Sequence, residues 1–133
     1  MIIPKILTSV CLILAGVGPL LLDIGDTHLF NPSWDEHSRV HEVWRLSTNF
    51  MVACLGLYLI WSKHMLSIAS LLSLCMILGF MVSVITMPLY NGLAVGIGID
   101  ELQPFGIPLN IFSFIVVLLI QIVSLLLAYK DNK

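Results

Sequence analysis

His37 and His41 stand four residues apart in the stretch Asn31 to Trp44, NPSWDEHSRVHEVW. On an α-helix that spacing turns both imidazoles toward one point, the geometry by which a helix holds a transition metal or shares a proton. A third nitrogen or oxygen could come from Asp23 at the end of the preceding apolar run, or from Asp26 or His28 just after it. His28, His37 and His41 are therefore the candidate metal ligands, with the presence and identity of a transition metal left open. Without a metal, His37, His41 and Asp26 form the candidate acid/base set. Trp34, Arg39, Trp44, Arg45 and Asn49 are the candidate substrate contacts. Arg39 or Arg45 would meet an anionic head group, and Asn49, one turn deeper than Arg45, would line a cavity. A third reading makes the same residues a hydrogen-bonded cap, since Trp, His and Arg commonly anchor a helix at a membrane interface. All three readings stay open at this level.

The concentration of such groups favours a site. The fourteen residues hold two histidines, three acids, an arginine and two tryptophans in a 133-residue chain that is 59% hydrophobic and 11% charged. A mean hydropathy of +1.03 is that of a membrane protein rather than a soluble domain. The net charge of -2 and the absence of any basic run exclude a nucleic-acid surface. Cys11, Cys54 and Cys75 fall inside apolar runs without ligand spacing and read as small packed hydrophobes.

The elements that must position this segment are four apolar stretches, giving an all-α, integral membrane four-helix bundle as one transmembrane domain over residues 1–133. Spans are expected at about 6–22, 40–61, 65–87 and 109–128, each close to the ~17 to 25 residues needed to cross ~30 Å of hydrocarbon. The first is expected to be a retained helix, because it is longer than a signal-peptide core and ends without an A-x-A-like site. Residues 23–45 form a polar outer segment and residues 88–107 an outer connection with Gly92, Gly96, Gly98 and Gly106. Ser33 and Glu36 have the spacing of a capping box behind Pro32, which would start the second helix near Trp34. Lys63 and His64 alone separate the second and third spans and predict a tight hairpin.

Lys5, Lys63, Lys130 and Lys133 fall at one end of this arrangement, against Arg39 and Arg45 at the other. The excess predicts both termini on the cytoplasmic side, in a bacterial inner membrane, with the histidine segment facing outward. The outer pocket would be built by the end of the first span, residues 23–45 and the Asn91 to Gln103 loop. Gly16, Gly18 and Pro19 offer close packing or a kink near its inner wall. Gln121, near the middle of the fourth span, is expected to bond across helices.

No H-E-x-x-H, G-x-S-x-G, Walker A or C-x-x-C-H pattern occurs, and four histidines are too few for the boxes of a membrane di-iron hydroxylase. No pore-lining polar stripe suggests a channel. The pattern His28-x-x-Asn31-Pro32-x-Trp34-x-x-His37-x-Arg39-x-His41-x-x-Trp44 resembles a group of uncharacterised small four-helix bacterial membrane proteins. That resemblance covers about 17 residues and carries no activity or cofactor with it. In general plan the chain is also similar to small membrane isomerases of the sterol-isomerase type, which set His and Glu in a bundle open to lipid. It departs from them in size and lacks their motifs. Two functions follow as expectations. One is a membrane enzyme acting on a lipophilic small molecule through metal or acid/base chemistry. The other is a non-catalytic subunit whose motif docks a partner or caps the bundle. The lipid bilayer is the expected partner in both, and a homo-oligomer is compatible with either.

Overall fold

The computed structural model describes residues 2–96 and 99–131. Gly98 of the outer connection and Lys133, counted above for orientation, lie outside them. Helices α1 (Ile2–Gly16) and α2 (Gly18–Leu22) are followed by α3 (Glu36–Trp61), α4 (Leu66–Thr86) and α5 (Leu109–Asp131). Short 3-10 turns at Met87–Leu89 and Pro104–Gly106 flank the outer connection. The described residues contain no strand. Four helical segments, Ile2–Leu22, Glu36–Trp61, Leu66–Leu89 and Leu109–Lys130, are long and apolar enough to cross a membrane, so the molecule is an all-helical membrane protein.

The expected spans are all present with shifted ends. The first begins at Ile2, because Pro4 sits in the opening turn, where a missing N–H costs no helical bond. It breaks at Val17, where Pro19 cannot donate to the preceding turn, and α2 continues it with a kink. Helix α1 packs against α3, α4 and α5. Its approach to α3 depends on Gly16: a Cβ there would lie 2.4 Å from Ala53 Cβ and 2.8 Å from the Asn49 carbonyl oxygen. The α3–α4 reversal is as tight as expected, with His64 in the left-handed region at φ 57° and its Nδ1 3.2 Å from Lys5 Nζ.

The core is built largely from small residues. Ala15, Ala53, Ala69, Ser70, Ser73 and Ser124 are buried, while Leu21, Leu22, Ile85 and Leu126 point outward. Helices in lipid gain little by hiding leucine from an equally apolar solvent. Close backbone approach and interhelical hydrogen bonds hold them instead. Those bonds cluster near the α3–α4 turn. Thr8 Oγ1 lies 2.8 Å from Ser124 Oγ and 3.3 Å from Ser70 Oγ, and Gln121 Nε2 donates to it at 3.4 Å. Ser124 in turn donates to the Pro4 carbonyl at 2.8 Å. Gln121 therefore bonds across helices as expected. The N-terminus of α1, the α3–α4 turn and the C-terminal half of α5 share one end of the bundle. The 23–35 segment and the outer connection share the other.

Candidate functional site

Helix α3 starts at Glu36, two residues later than the capping-box expectation, and Asp35 is its cap. The Asp35 carboxylate accepts from Ser38 N at 2.9 Å and from Ser38 Oγ at 2.5 Å. Ser33 is engaged elsewhere, its amide and hydroxyl both donating to Asn31 Oδ1 at 2.9 and 2.7 Å in an Asx turn. A carboxylate at a helix N-terminus makes charge-assisted bonds that a hydroxyl cannot match. The two bonds from Ser38, side chain first, hold the Asp35 carboxyl below its ordinary value of 3.8.

With the start of α3 fixed, the histidine pair forms as the spacing predicts. His37 Nε2 and His41 Nε2 are 3.0 Å apart, with their rings edge to face at 4.5 Å, and His41 stacks on Trp44 at 6.0 Å. Both histidines are exposed. An open cleft of about 910 Å³ lies beside them, lined on one side by Trp34, Asp35, Ser38, His41, Glu42 and Arg45 and on the other by Tyr90, Asn91 and Gly92.

The cleft divides the candidate residues. Trp34, His41 and Arg45 line it. His37 reaches it only through His41, and Trp44 lies behind His41 with 66% of its surface exposed. Asn49 is half-buried on α3, with its carbonyl against Gly16, and does not line the cleft. Arg39 is turned toward the 23–35 segment and donates to the Asn31 carbonyl at 3.1 Å, while its Nε is buried without a partner. Asp26 is exposed away from the cleft lining. His28 keeps its own company, with Thr27 Oγ1 3.0 Å and Asp23 Oδ1 3.9 Å from its Nδ1 and Trp34 edge-on at 5.9 Å. Among the described residues no three His, Cys, Asp or Glu side chains gather closely enough to hold a metal ion. The expected wall from the end of the first span contributes one group, Asp23, and only through Arg45.

Arg45 is the electrostatic hinge of the site. Its guanidinium is bonded to both Glu42 oxygens, with Nε to Oε2 at 3.0 Å, and to Asp23 Oδ2 at 2.5 Å. It thereby ties α3 to the chain leaving α2, and its charge is fully matched. Glu42 is the cleft-lining charge that the sequence reading left out of the candidate site. Its surface is 8% exposed, and it heads the buried stripe Glu42, Leu46, Ala53, Gly56 and Ile60 of α3. That stripe is visible as helical periodicity, so the signal existed. Tyr90 was also missed, since it carries no charge and lies one residue before the expected Asn91 to Gln103 wall, of which Asn91 and Gly92 do line the cleft.

No family model matches the chain, and no curated protein or solved structure matches it.

Proposed function

We propose that the protein is a four-span bacterial inner-membrane protein, with both termini in the cytoplasm, whose outward cleft receives the polar end of a lipophilic small molecule. His41 exchanges a proton with that molecule and His37 acts as the second member of the imidazole pair. One observation carries this reading: His41 belongs both to the imidazole pair and to the cleft wall. Trp34 and Tyr90 give the cleft apolar faces with polar edges, suited to a molecule that lies half in lipid. The lysine excess at the opposite end supports the orientation.

Two imidazole nitrogens on one tetrahedral ion at ~2.0 Å lie roughly 3.3 Å apart, so the pair is spaced for a transition metal. It supplies only two ligands, and the remainder would come from the bound molecule or water. Mass spectrometry of the organic extract and of metal content from purified protein tests both versions. We expect one lipophilic species in near-stoichiometric amount, lost in His41→Ala and Trp34→Ala variants that retain their fold. An extract with no defined species, together with no binding of added lipids or quinone-like compounds, would sink the reading.

A second reading, a non-catalytic cap, is favoured by the saturation of Arg45 by Glu42 and Asp23. It predicts that Arg45→Met loosens the outer end while His41→Ala changes nothing measurable.

A further inference from the structure

We propose that the interface of α1, α4 and α5 holds an ordered water molecule that bridges Ser73 Oγ and Gln121 Oε1, independently of what the outer cleft binds. Both residues are fully buried, and these two oxygens are buried without a protein partner.

The helix register puts them face to face. Phe80 stacks on Phe114 with ring centroids 4.0 Å apart, and Ile77 packs in one cluster with Val117 one step further in. Beyond the unpaired oxygens, Ser70 and Ser124 meet through Thr8. Stepping inward along α4, Phe80, Ile77, Ser73 and Ser70 are spaced by three, four and three residues. Along α5, Phe114, Val117, Gln121 and Ser124 have the same spacing. Ser73 and Gln121 are therefore the pair between two observed contacts on antiparallel helices.

The proton count fixes which way the carboxamide points. Ser124 gives its hydroxyl proton to Pro4 O, so Thr8 must give its single proton to Ser124 and can only accept from Ser70 and Gln121. The Gln121 group facing Thr8 is then the amide nitrogen, and its oxygen is left on the other side, toward Ser73. An acceptor buried in hydrocarbon is costly unless something donates to it. Neither oxygen bonds to the other, so a molecule with two donors and an acceptor can satisfy both, and water is the smallest. It joins α4 to the network already running from Pro4 through Ser124 and Thr8 to Gln121. The next layer along the helices is apolar, made of Cys11, Ala15, Ile77 and Val117, so the water ends a polar seam and does not belong to a pore.

Water-edited solid-state NMR of the full chain in deuterated-lipid vesicles tests this, with the Ile77 and Val117 methyls as dry controls. We expect magnetisation from water at the Gln121 carboxamide and at Ser73 but not at the controls. Transfer to Gln121 should fall several-fold in Ser73→Ala and persist in Ser73→Thr. Gln121 as dry as Val117 in the wild type would mean a direct Ser73–Gln121 bond and overturn the inference. So would transfer that is unchanged in a folded Ser73→Ala variant. If Ser73→Ala does not fold, the wild-type comparison decides, together with loss of transfer at Ser73 in Gln121→Met.

Discussion

At the end of the bundle that carries the histidine pair Arg45 lies between two carboxylates with 41% of its side chain exposed, while toward the opposite end Thr8 has no exposed surface and only neutral partners. Both are hubs, Arg45 tying α3 to the chain leaving α2 and Thr8 joining three helices, but different physics governs them. Around Arg45, solvent reaches the guanidinium and its bond to Asp23, so that partner can be partly replaced by water, while Glu42 stays buried. Bulk solvent does not reach Thr8, and its hydroxyl finds its partners on the helices themselves. The Arg45 hub keeps an edge open to solvent. The Thr8 hub trades adaptability for a fixed register.

Helix α1 comes closest to the α3 backbone at Gly16, and breaking that contact should have the largest effect. Gly16→Ala would drive a methyl into Ala53 and the α3 backbone, which cannot swing away as a long side chain could. Overpacking of this kind costs about 1–3 kcal/mol. We expect loss at the high end of that range, read as a lowered unfolding midpoint in mixed detergent. Gly18→Ala, with open space around its position, serves as the near-neutral control.

Thr8→Val comes next. It keeps the shape and removes the hydroxyl, so Ser70, Ser124 and the Gln121 amide each lose a partner. Interhelical hydrogen bonds in membranes average ~0.6 kcal/mol and reach ~1.7, so a destabilisation of about 1–2 kcal/mol is expected. The same unfolding assay checks it. Asp23→Asn, which leaves Arg45 on the buried Glu42, should cost less, under about 1 kcal/mol once solvent screening is allowed for. A cost for Asp23→Asn equal to or above that of Thr8→Val would reverse the contrast between the ends.

How much of this was visible beforehand follows the same division. Charge is conspicuous in an apolar chain, so the outer segment, its imidazole pair and the four spans could be read directly. Ser33 is not the cap, because its hydroxyl donates to Asn31 in an Asx turn while the Asp35 carboxylate takes the helix amide. Asn49 was expected to line a cavity by depth alone, but the cleft opens toward Tyr90 rather than down α3. The inner network was nearly silent. Serine and threonine are ordinary in a transmembrane helix, and only the three-dimensional register shows that Thr8, Ser70 and Ser124 converge. Gln121 was the single residue polar enough to stand out.

Acid separates the ends without any mutation. The Asp35 carboxyl has a lowered pKa in the folded chain, so its capping contribution is fully present above the ordinary 3.8 and is lost as pH falls through the lower folded value. Thr8, Ser70, Gln121 and Ser124 contain no titrating group over that range. Followed by NMR, the Ser38 amide should shift through an acid transition below 3.8 while the Gln121 side chain holds its position. Concerted movement of both would show that the two ends unfold as one unit.

The smallest effect on stability should come from the histidines, which is what makes them informative. His37 and His41 are exposed, and their mutual bond is open to solvent. Alanine at either position should therefore change the unfolding free energy by no more than about 0.5 kcal/mol. Binding should split them. His41 lines the cleft and His37 touches it only through His41, so His41→Ala should abolish retention of the lipophilic species and His37→Ala should weaken it. A pair with equal effects on retention would place both rings in the ligand's path. A pair with large effects on stability and none on retention would turn the outer end into a second structural hub, and the contrast with Thr8 would then lie in solvent access alone.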